Sequence, residues 1–184
     1  KDTLITDSSA KLDFSEDTII FDTVFVTMGS TNNQLVVHNN HNQKINISSI
    51  KLAGGTASRY RINVDGVPGY SFTDIEIAAN DSMYIFVEVT IDPNSNNLPF
   101  IVTDSIVFVT NGNIQDVDLV AWGQNANFFY PTNSQPGLPD YSIIPCNAVW
   151  DSVLPYVIYG YAVVDSGCSL TIKENTKVYF YNNS

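Results

Sequence analysis

The 184-residue chain is 44% hydrophobic but only 15% charged, enough to bury the core of one ordinary domain plus a smaller piece. Its formal net charge of -11 repels phosphate backbones and anionic bilayers alike, which argues against nucleic acid or a membrane surface as partner. No apolar run is long enough to span a bilayer, and the two cysteines, Cys146 and Cys168, permit one disulfide but exclude a Cys-only zinc site.

Residues 1–9 are polar and aperiodic and read as a flexible lead; a start at Lys1 without a hydrophobic leader reads as a processed form. Strand signals follow. Leu12 and Phe14 alternate with polar neighbours, and residues 18–27 are β-branched or aromatic almost throughout, as in a strand buried on both sides. Residues 34–39 and 44–52 are strands, and the change of parity between Ile47 and Ile50 predicts a bulge or bend near Ser48 and Ser49. Residues 59–64 alternate, and a turn follows at 65–69. Residues 83–91 alternate most clearly, with Met83, Ile85, Val87, Val89 and Ile91 on one face. Asn111-Gly112 between two alternating runs predicts a hairpin with a type I′ turn. The buried set is expected to include Ile85, Val87, Val89, Val107 and Leu119. No window carries sustained helical periodicity, so the expected fold is all-β: an immunoglobulin-like antiparallel sandwich over residues 10–126.

From about Asn125 prolines cluster, and residues 127–147 read as a Pro/Asn-rich connector, with Phe128, Phe129 and Tyr130 packing against a domain or sealing a junction. Strand signals return at 156–164, 169–172 and 176–181. Residues 148–184 are too few to close an independent core easily, so the natural protein is expected to continue.

Two stretches resemble known families. Leu35-Val36-Val37, Ile47-Ser48-Ser49-Ile50-Lys51-Leu52, Tyr60-Arg61-Ile62, Asn80-Asp81-Ser82 and Val87-Glu88-Val89-Thr90-Ile91-Asp92-Pro93 resemble the Hydin-like immunoglobulin-type domains, with Asn80-Asp81 in place of the usual Pro-Gly. Leu154 to Tyr161, then Cys168-Ser169-Leu170-Thr171-Ile172 and Thr176-Lys177-Val178-Tyr179-Phe180, resemble the opening rungs of a right-handed parallel β-helix, with Asn175 where Gly is usual; Asn also tolerates the left-handed region. Together they resemble Bacteroidales-type surface lipoproteins. That resemblance implies an extracytoplasmic, outer-membrane or cell-surface location and a lipid anchor upstream of Lys1. It carries over no activity and no site residues.

The chemistry-bearing residues each have two readings. His38 and His41 could share a metal on a helix, but their setting at a strand end reads as a hairpin loop. Residues 92–97 begin like a calcium loop but place Asn97 at the Gly position and Thr103 at the bidentate Glu, and so read as a turn. Gly69 to Thr73 hold a Gly-x-Ser without the second Gly of a nucleophile elbow and read as loop. Asp116 and Asp118 share a strand face, either as paired acids for glycoside hydrolysis or, more simply, as a wet face that blunts strand addition. Trp122, Trp150, Tyr156, Tyr159 and Tyr161 form either a sugar-stacking platform or the glue of a domain junction. Cys146 and Cys168 either bridge across about 22 residues, stapling the connector to the strands that follow, or remain two small apolar residues.

The chain is thus expected to be a non-catalytic cell-surface module, a structural spacer or a protein- or ligand-binding domain, with no cofactor and no metal. The alternatives are a glycan-binding module, or an accessory domain of a polysaccharide-degrading enzyme whose active site lies outside this chain.

Overall fold

The computed structural model describes residues 3–26, 29–30, 32–92 and 100–181. They form two compact units, one of residues 3–92 and 100–123 and one of residues 124–181. Apart from a 3-10 turn at Gly55–Ala57, the regular structure among the described residues is strand.

The first unit holds twelve strands: β1 (Leu4–Ile5), β2 (Asp13–Phe14), β3 (Thr18–Phe25), β4 (Asn33–Asn39), β5 (Lys44–Leu52), β6 (Tyr60–Val64), β7 (Val67–Gly69), β8 (Ser71–Phe72), β9 (Ile75–Ile77), β10 (Asp81–Val89), β11 (Phe100–Thr110) and β12 (Asn113–Gln124). One sheet runs β1-β5-β11-β12-β3, with β8 and β9 also on β5; the other runs β2-β4-β10-β6-β7. In immunoglobulin lettering, β2-β4-β10-β6 is the A-B-E-D sheet and β5-β11-β12 is C-F-G, the strand order of a constant-type immunoglobulin sandwich. The unit is therefore an all-β, immunoglobulin-like sandwich.

Alternation places the core between the sheets. Leu35, Val37, Tyr60, Ile62, Ile85 and Val87 from one sheet face Ile45, Ile47, Ile50, Leu52, Ile106, Phe108, Val117 and Leu119 from the other, and all are buried. The parity change in β5 is a bulge at Ser48: Val109 pairs with Ser49 and Thr110 with Ile47. At the β11–β12 hairpin, Asn111 and Gly112 both have positive φ (51° and 80°), as a type I′ turn needs. Asp65 and Gly66 repeat the device (φ 49° and 86°) between β6 and β7.

Several expectations need correction here. The lead is in part a strand, because Leu4 and Ile5 pair in parallel with Lys44 and Ile45. Residues 18–25 are not buried on both sides: Ile20 is 59% exposed, because it points, with Asp22, from the outer face of its sheet, opposite buried Ile19 and Phe21; Thr27 lies outside the described residues. Val107 is only half-buried. In the all-apolar run from Ile106 to Val109, it is Ile106 and Phe108 that face the core. The loop holding His41 is no hairpin. It crosses between sheets, since β4 pairs with β10 and β5 with β11.

That crossover is held by Asn39, which is fully buried. Its Nδ2 lies within hydrogen-bonding distance of the carbonyls of Gln43 (2.9 Å), Ala78 (2.8 Å) and Ile77 (3.2 Å), and its Oδ1 accepts from the His41 amide (3.1 Å). The amide of Asn80 (φ 55°) donates to the His41 carbonyl at 2.9 Å, tying the turn before β10 to the same loop. At the other end of the unit, Asp104 accepts from the amides of Gly54 (3.0 Å) and Ser105 (2.8 Å) and from the Ser58 hydroxyl. The Tyr60 hydroxyl donates to the Val102 carbonyl at 2.8 Å, and burial, with a smaller push from Asp104, raises its pKa.

The second unit holds β13 (Asn127–Phe129), β14 (Tyr141–Ile144), β15 (Ala148–Trp150), β16 (Tyr156–Tyr159), β17 (Tyr161–Val164), β18 (Leu170–Ile172) and β19 (Val178–Tyr181). Every ladder is parallel: β13-β16-β19, β14-β17 and β15-β18. The chain thus visits three faces in turn and then returns to stack on the first, as a coil. Asn147 (φ 57°), Gly160 (φ 66°), Gly167 (φ 81°) and Asn175 (φ 62°) lie between strands, where residues that tolerate positive φ let the chain turn the corners. The segment expected as a connector carries β13 and β14, and the expected strand over 156–164 is broken at Gly160. Inside the coil, Ile144, Trp150, Tyr156 and Ile158 are buried together, with Phe129, Ala148, Ala162, Leu170 and Val178 against them. The Trp150 and Tyr156 rings stack at 4.3 Å and Phe129 lies 5.2 Å from Trp150.

Cys146 and Cys168 are bridged, with Cα atoms 4.8 Å apart. Cys146 lies between β14 and β15, and Cys168 between β17 and β18. The bridge therefore joins the same corner on successive coils, where the Ser169 hydroxyl also donates to Asn147 Oδ1 at 3.1 Å.

Two outcomes follow from these contacts. Asn39→Ala strands buried carbonyls and should destabilise the sandwich by about 2–4 kcal/mol, read from urea unfolding; a change below about 0.5 kcal/mol would remove Asn39 from this role. Cys146→Ser/Cys168→Ser opens a closure spanning 22 residues. In the chain-entropy model it should cost the coil about 3 kcal/mol, followed through Trp150 fluorescence in a Trp122→Phe background.

Candidate functional site

Two clefts stand out, one on each unit. On the second unit, β14 and β17 present their outward side chains as register partners, Tyr141 opposite Tyr161 and Ile143 opposite Val163. Tyr161 is 60% exposed, and Ile143 and Val163 are exposed as well. The segment before β14 folds back along this face, its Asn133 exchanging backbone hydrogen bonds of 2.9 Å with Tyr141 in both directions. Leu138 and Pro139 on that segment complete a cleft of about 410 Å³, with Gln135 and Asp165 as its polar members. A volume of this order suits a small ligand, and the two phenols offer ring faces with hydroxyl tips.

The second unit also carries a column of four rings. Phe128 stacks on Tyr130 (5.8 Å), Tyr130 on Tyr159 (4.7 Å) and Tyr159 on Tyr181 (5.6 Å). Burial, followed by the neighbouring Tyr130 and Tyr181, pushes the Tyr159 pKa up to about 12, so this phenol stays protonated.

On the sandwich, the outer face of the second sheet carries a cleft of about 310 Å³ lined by Asn32, Arg61, Asn63, Pro68, Phe86 and Glu88, with Ile62 beneath. Strand register assembles it: Glu88 lies opposite Arg61, Phe86 opposite Asn63, and Asn63 opposite Pro68. Arg61 is held in place, its guanidinium 4.6 Å from the Tyr70 ring centroid and its Nη1 donating to the carbonyls of Ser58 and Tyr60, each at 2.9 Å. Asn63 Oδ1 is buried and accepts no hydrogen bond from the described residues.

The expected aromatic platform does not exist as one surface. Trp150 (4% exposed) and Tyr156 (8%) are coil core, Tyr159 belongs to the ring column, Tyr161 lines the 410 Å³ cleft, and Trp122 lies on β12 of the other unit. Large aromatics carry no mark of inside or outside in a short strand, and only the coil's pairing separates them. Asp116 and Asp118 are exposed on one face of β12, whose neighbours are β11 and β3, so the pair sits inside the sheet and not on its edge. Gly69 ends β7, paired to Ile62 of β6, and Ser71 and Phe72 form β8, paired to β5, so the Gly-x-Ser segment is strand-flanked rather than free loop. Of the calcium-loop-like stretch, residues 93–97 lie outside the described residues. Among the described residues there is no group of three His, Cys, Asp or Glu side chains placed to hold a metal, and no helix is long and apolar enough to cross a membrane. The sandwich cleft was not anticipated. The alternation over 83–91 does assign Phe86 and Glu88 to the wet face, but nothing local brings Arg61 and Asn63 beside them.

No family model matches the chain, and no curated protein matches it in sequence. Among solved structures it is similar to a family 123 glycoside hydrolase from Clostridium perfringens (12% identity, 62% of this chain and 27% of that one, TM-score 0.44). It is similar also to the CooA pilin subunit from enterotoxigenic Escherichia coli (10% identity, 62% and 97%, TM-score 0.41) and to the periplasmic chaperone SfaE (14% identity, 69% and 63%, TM-score 0.38). The chain spans about a quarter of the length of that hydrolase, and none of these likenesses bears on what this chain binds or does.

Proposed function

We propose that this chain is a non-catalytic binding module of the cell surface that captures saccharide. The observation that carries the reading is the cleft over β14 and β17. There, the rings of exposed Tyr161 and half-buried Tyr141, on successive coils, line up as register partners above a lining of Ile143, Val163, Leu138 and Pro139. Exposed apolar surface gathered in one cleft marks a place of contact, and ring faces flanked by hydroxyl, amide and carboxylate groups suit the apolar face and hydroxyl edge of a sugar ring. An extracytoplasmic setting agrees with the Cys146–Cys168 bridge, which persists in oxidising compartments. Anchoring by lipid, as the surface-lipoprotein resemblance implies, belongs to the same reading, and so does reading the coil as the opening of a parallel β-helix.

A binding role rather than turnover is supported by the placement of the acids. Asp116 and Asp118 alternate along one strand face instead of facing each other across a cleft, whereas glycosidase acids flank the scissile bond. As a test, the chain is applied to an array of neutral and acidic oligosaccharides, and the retained sugars are incubated with it and analysed for products. Retention of at least one saccharide class without cleavage is expected, with binding through this cleft weakened about tenfold by Tyr161→Ala. An array without retained sugar, or the appearance of shorter products, would refute the reading.

A further inference from the structure

We propose that the cleft on the outer face of the β4–β10–β6–β7 sheet is a second saccharide site, selective for a neutral sugar bearing adjacent hydroxyls. It deepens the saccharide reading and rests on it for the ligand class; its location rests on different residues in the other unit.

The chemistry of the lining selects the ligand. Arg61 and Glu88 lie opposite each other on neighbouring strands, so the site as a whole is neutral and favours neither anion nor cation. The chain's net charge of -11 further disfavours an acidic polysaccharide. What the site does offer is hydrogen bonding of both kinds within a small space. The guanidinium donates, the carboxylate accepts, and the two amides of Asn32 and Asn63 do both. A hydroxyl is itself donor and acceptor, so a vicinal pair can bind a planar amide, guanidinium or carboxylate through both of its hydroxyls. Phe86, 41% exposed, and Pro68 give the apolar wall on which the C–H face of a sugar ring rests.

The second observation is the buried Asn63 Oδ1, which no protein donor reaches among the described residues. A buried acceptor left unpaired is costly. Turning the Asn63 side chain outward brings this closed-off oxygen to a ligand O–H in the cleft and relieves that cost, whereas an apolar occupant offers no donor. A site built this way discriminates sharply against an analogue lacking that hydroxyl. Arg61 needs little ordering on binding, since Tyr70 and two backbone carbonyls already hold its guanidinium.

The test uses the whole chain with maltohexaose, cellohexaose, mannohexaose and xylohexaose as neutral probes and oligogalacturonate as the acidic one. Side-chain amide resonances of Asn63 and Asn32 are followed by heteronuclear NMR in the parent protein. At least one neutral probe is expected to shift the Asn63 amide pair, with oligogalacturonate leaving it in place. Phe86→Ala and Glu88→Gln should each weaken that response about tenfold, and Tyr161→Ala should leave it unchanged. Phe86 and Glu88 both point outward, so if one variant loses its dispersed spectrum the other decides. If neutral sugars shift only resonances around Tyr161, saccharide capture stands and this site falls. If no probe shifts either cleft at about 10 mM, both fall. An Asn63 response that survives both Phe86→Ala and Glu88→Gln also refutes the site.

Discussion

One extra residue in β5 decides which way the sandwich faces. Up to Ile47, the odd-numbered side chains enter the core; beyond Ser48, the even-numbered ones do. Without the bulge, either Ile45 and Ile47 or Ile50 and Leu52 would turn to solvent. Each such side chain is worth about 1.5–3 kcal/mol in burial, so the alternative register loses several kcal/mol. The consequences spread because β5 uses both of its edges. β11 and β1 share one, β8 and β9 the other, and Ile47 itself pairs with both Thr110 and Ile75. The Ser48 hydroxyl donates to the Val109 carbonyl at 2.8 Å and so holds the bulged turn of backbone against its neighbour. Of the four ladders, the one with β11 spans the bulge, while β1 and β9 pair with β5 before it and β8 after it.

The bulge was legible because apolar residues of two parities met in one strand with Ser-Ser between them. The same logic shows where reading failed. β10 alternates cleanly and its buried face was plain, whereas Ile106, Val107, Phe108 and Val109 are all apolar and leave the parity of β11 undetermined until Leu52 is found opposite Ile106. β3 misled for a related reason. β-branched and aromatic residues satisfy a strand with one open face as readily as one covered on both, and Ile20 is simply exposed. In the coil the difficulty is greater. Strands of three or four residues are too short to show a period, and their parallel partners lie a full coil away, so no turn announces the pairing. Pro131, Pro136, Pro139 and Gly137 then look like a linker, although Pro139 lines the coil's outer cleft.

The candidate sites divide in the same way. Aromatic residues were easy to count and hard to place: Trp150 and Tyr156 stack inside the coil while Tyr161, five residues on from Tyr156, stands outside it. Gly160, with its positive φ, marks the corner between them, so the chain turns onto a new face between these two tyrosines. For the sandwich cleft, Arg61, Asn63, Pro68, Phe86 and Glu88 are each unremarkable surface residues in sequence. Their meaning comes from register alone, because β10 is the strand that brings Phe86 and Glu88 beside β6.

The two outer faces of the sandwich differ in make-up: exposed Ile20, Ile101, Ile114 and Trp122 stand among acids on one, while Arg61, Glu88 and Phe86 share the other. The β5–β11–β12–β3 face carries Asp116 and Asp118 on its second-to-last strand. Like charges spaced along a strand discourage a second copy from stacking on that face. The opposite sheet ends at β7, where Pro68 lacks an amide hydrogen and so weakens that edge as a template for another strand. Pro68 is also a wall of the cleft. The residue that spoils the edge for strand addition thus helps shape the face for a small ligand. Apart from Asn32, which precedes β4, a site laid on β6, with β10 on one side and β7 on the other, is positioned by backbone ladders. Its side chains are held before any ligand arrives, so less ordering entropy opposes binding there than on a mobile loop.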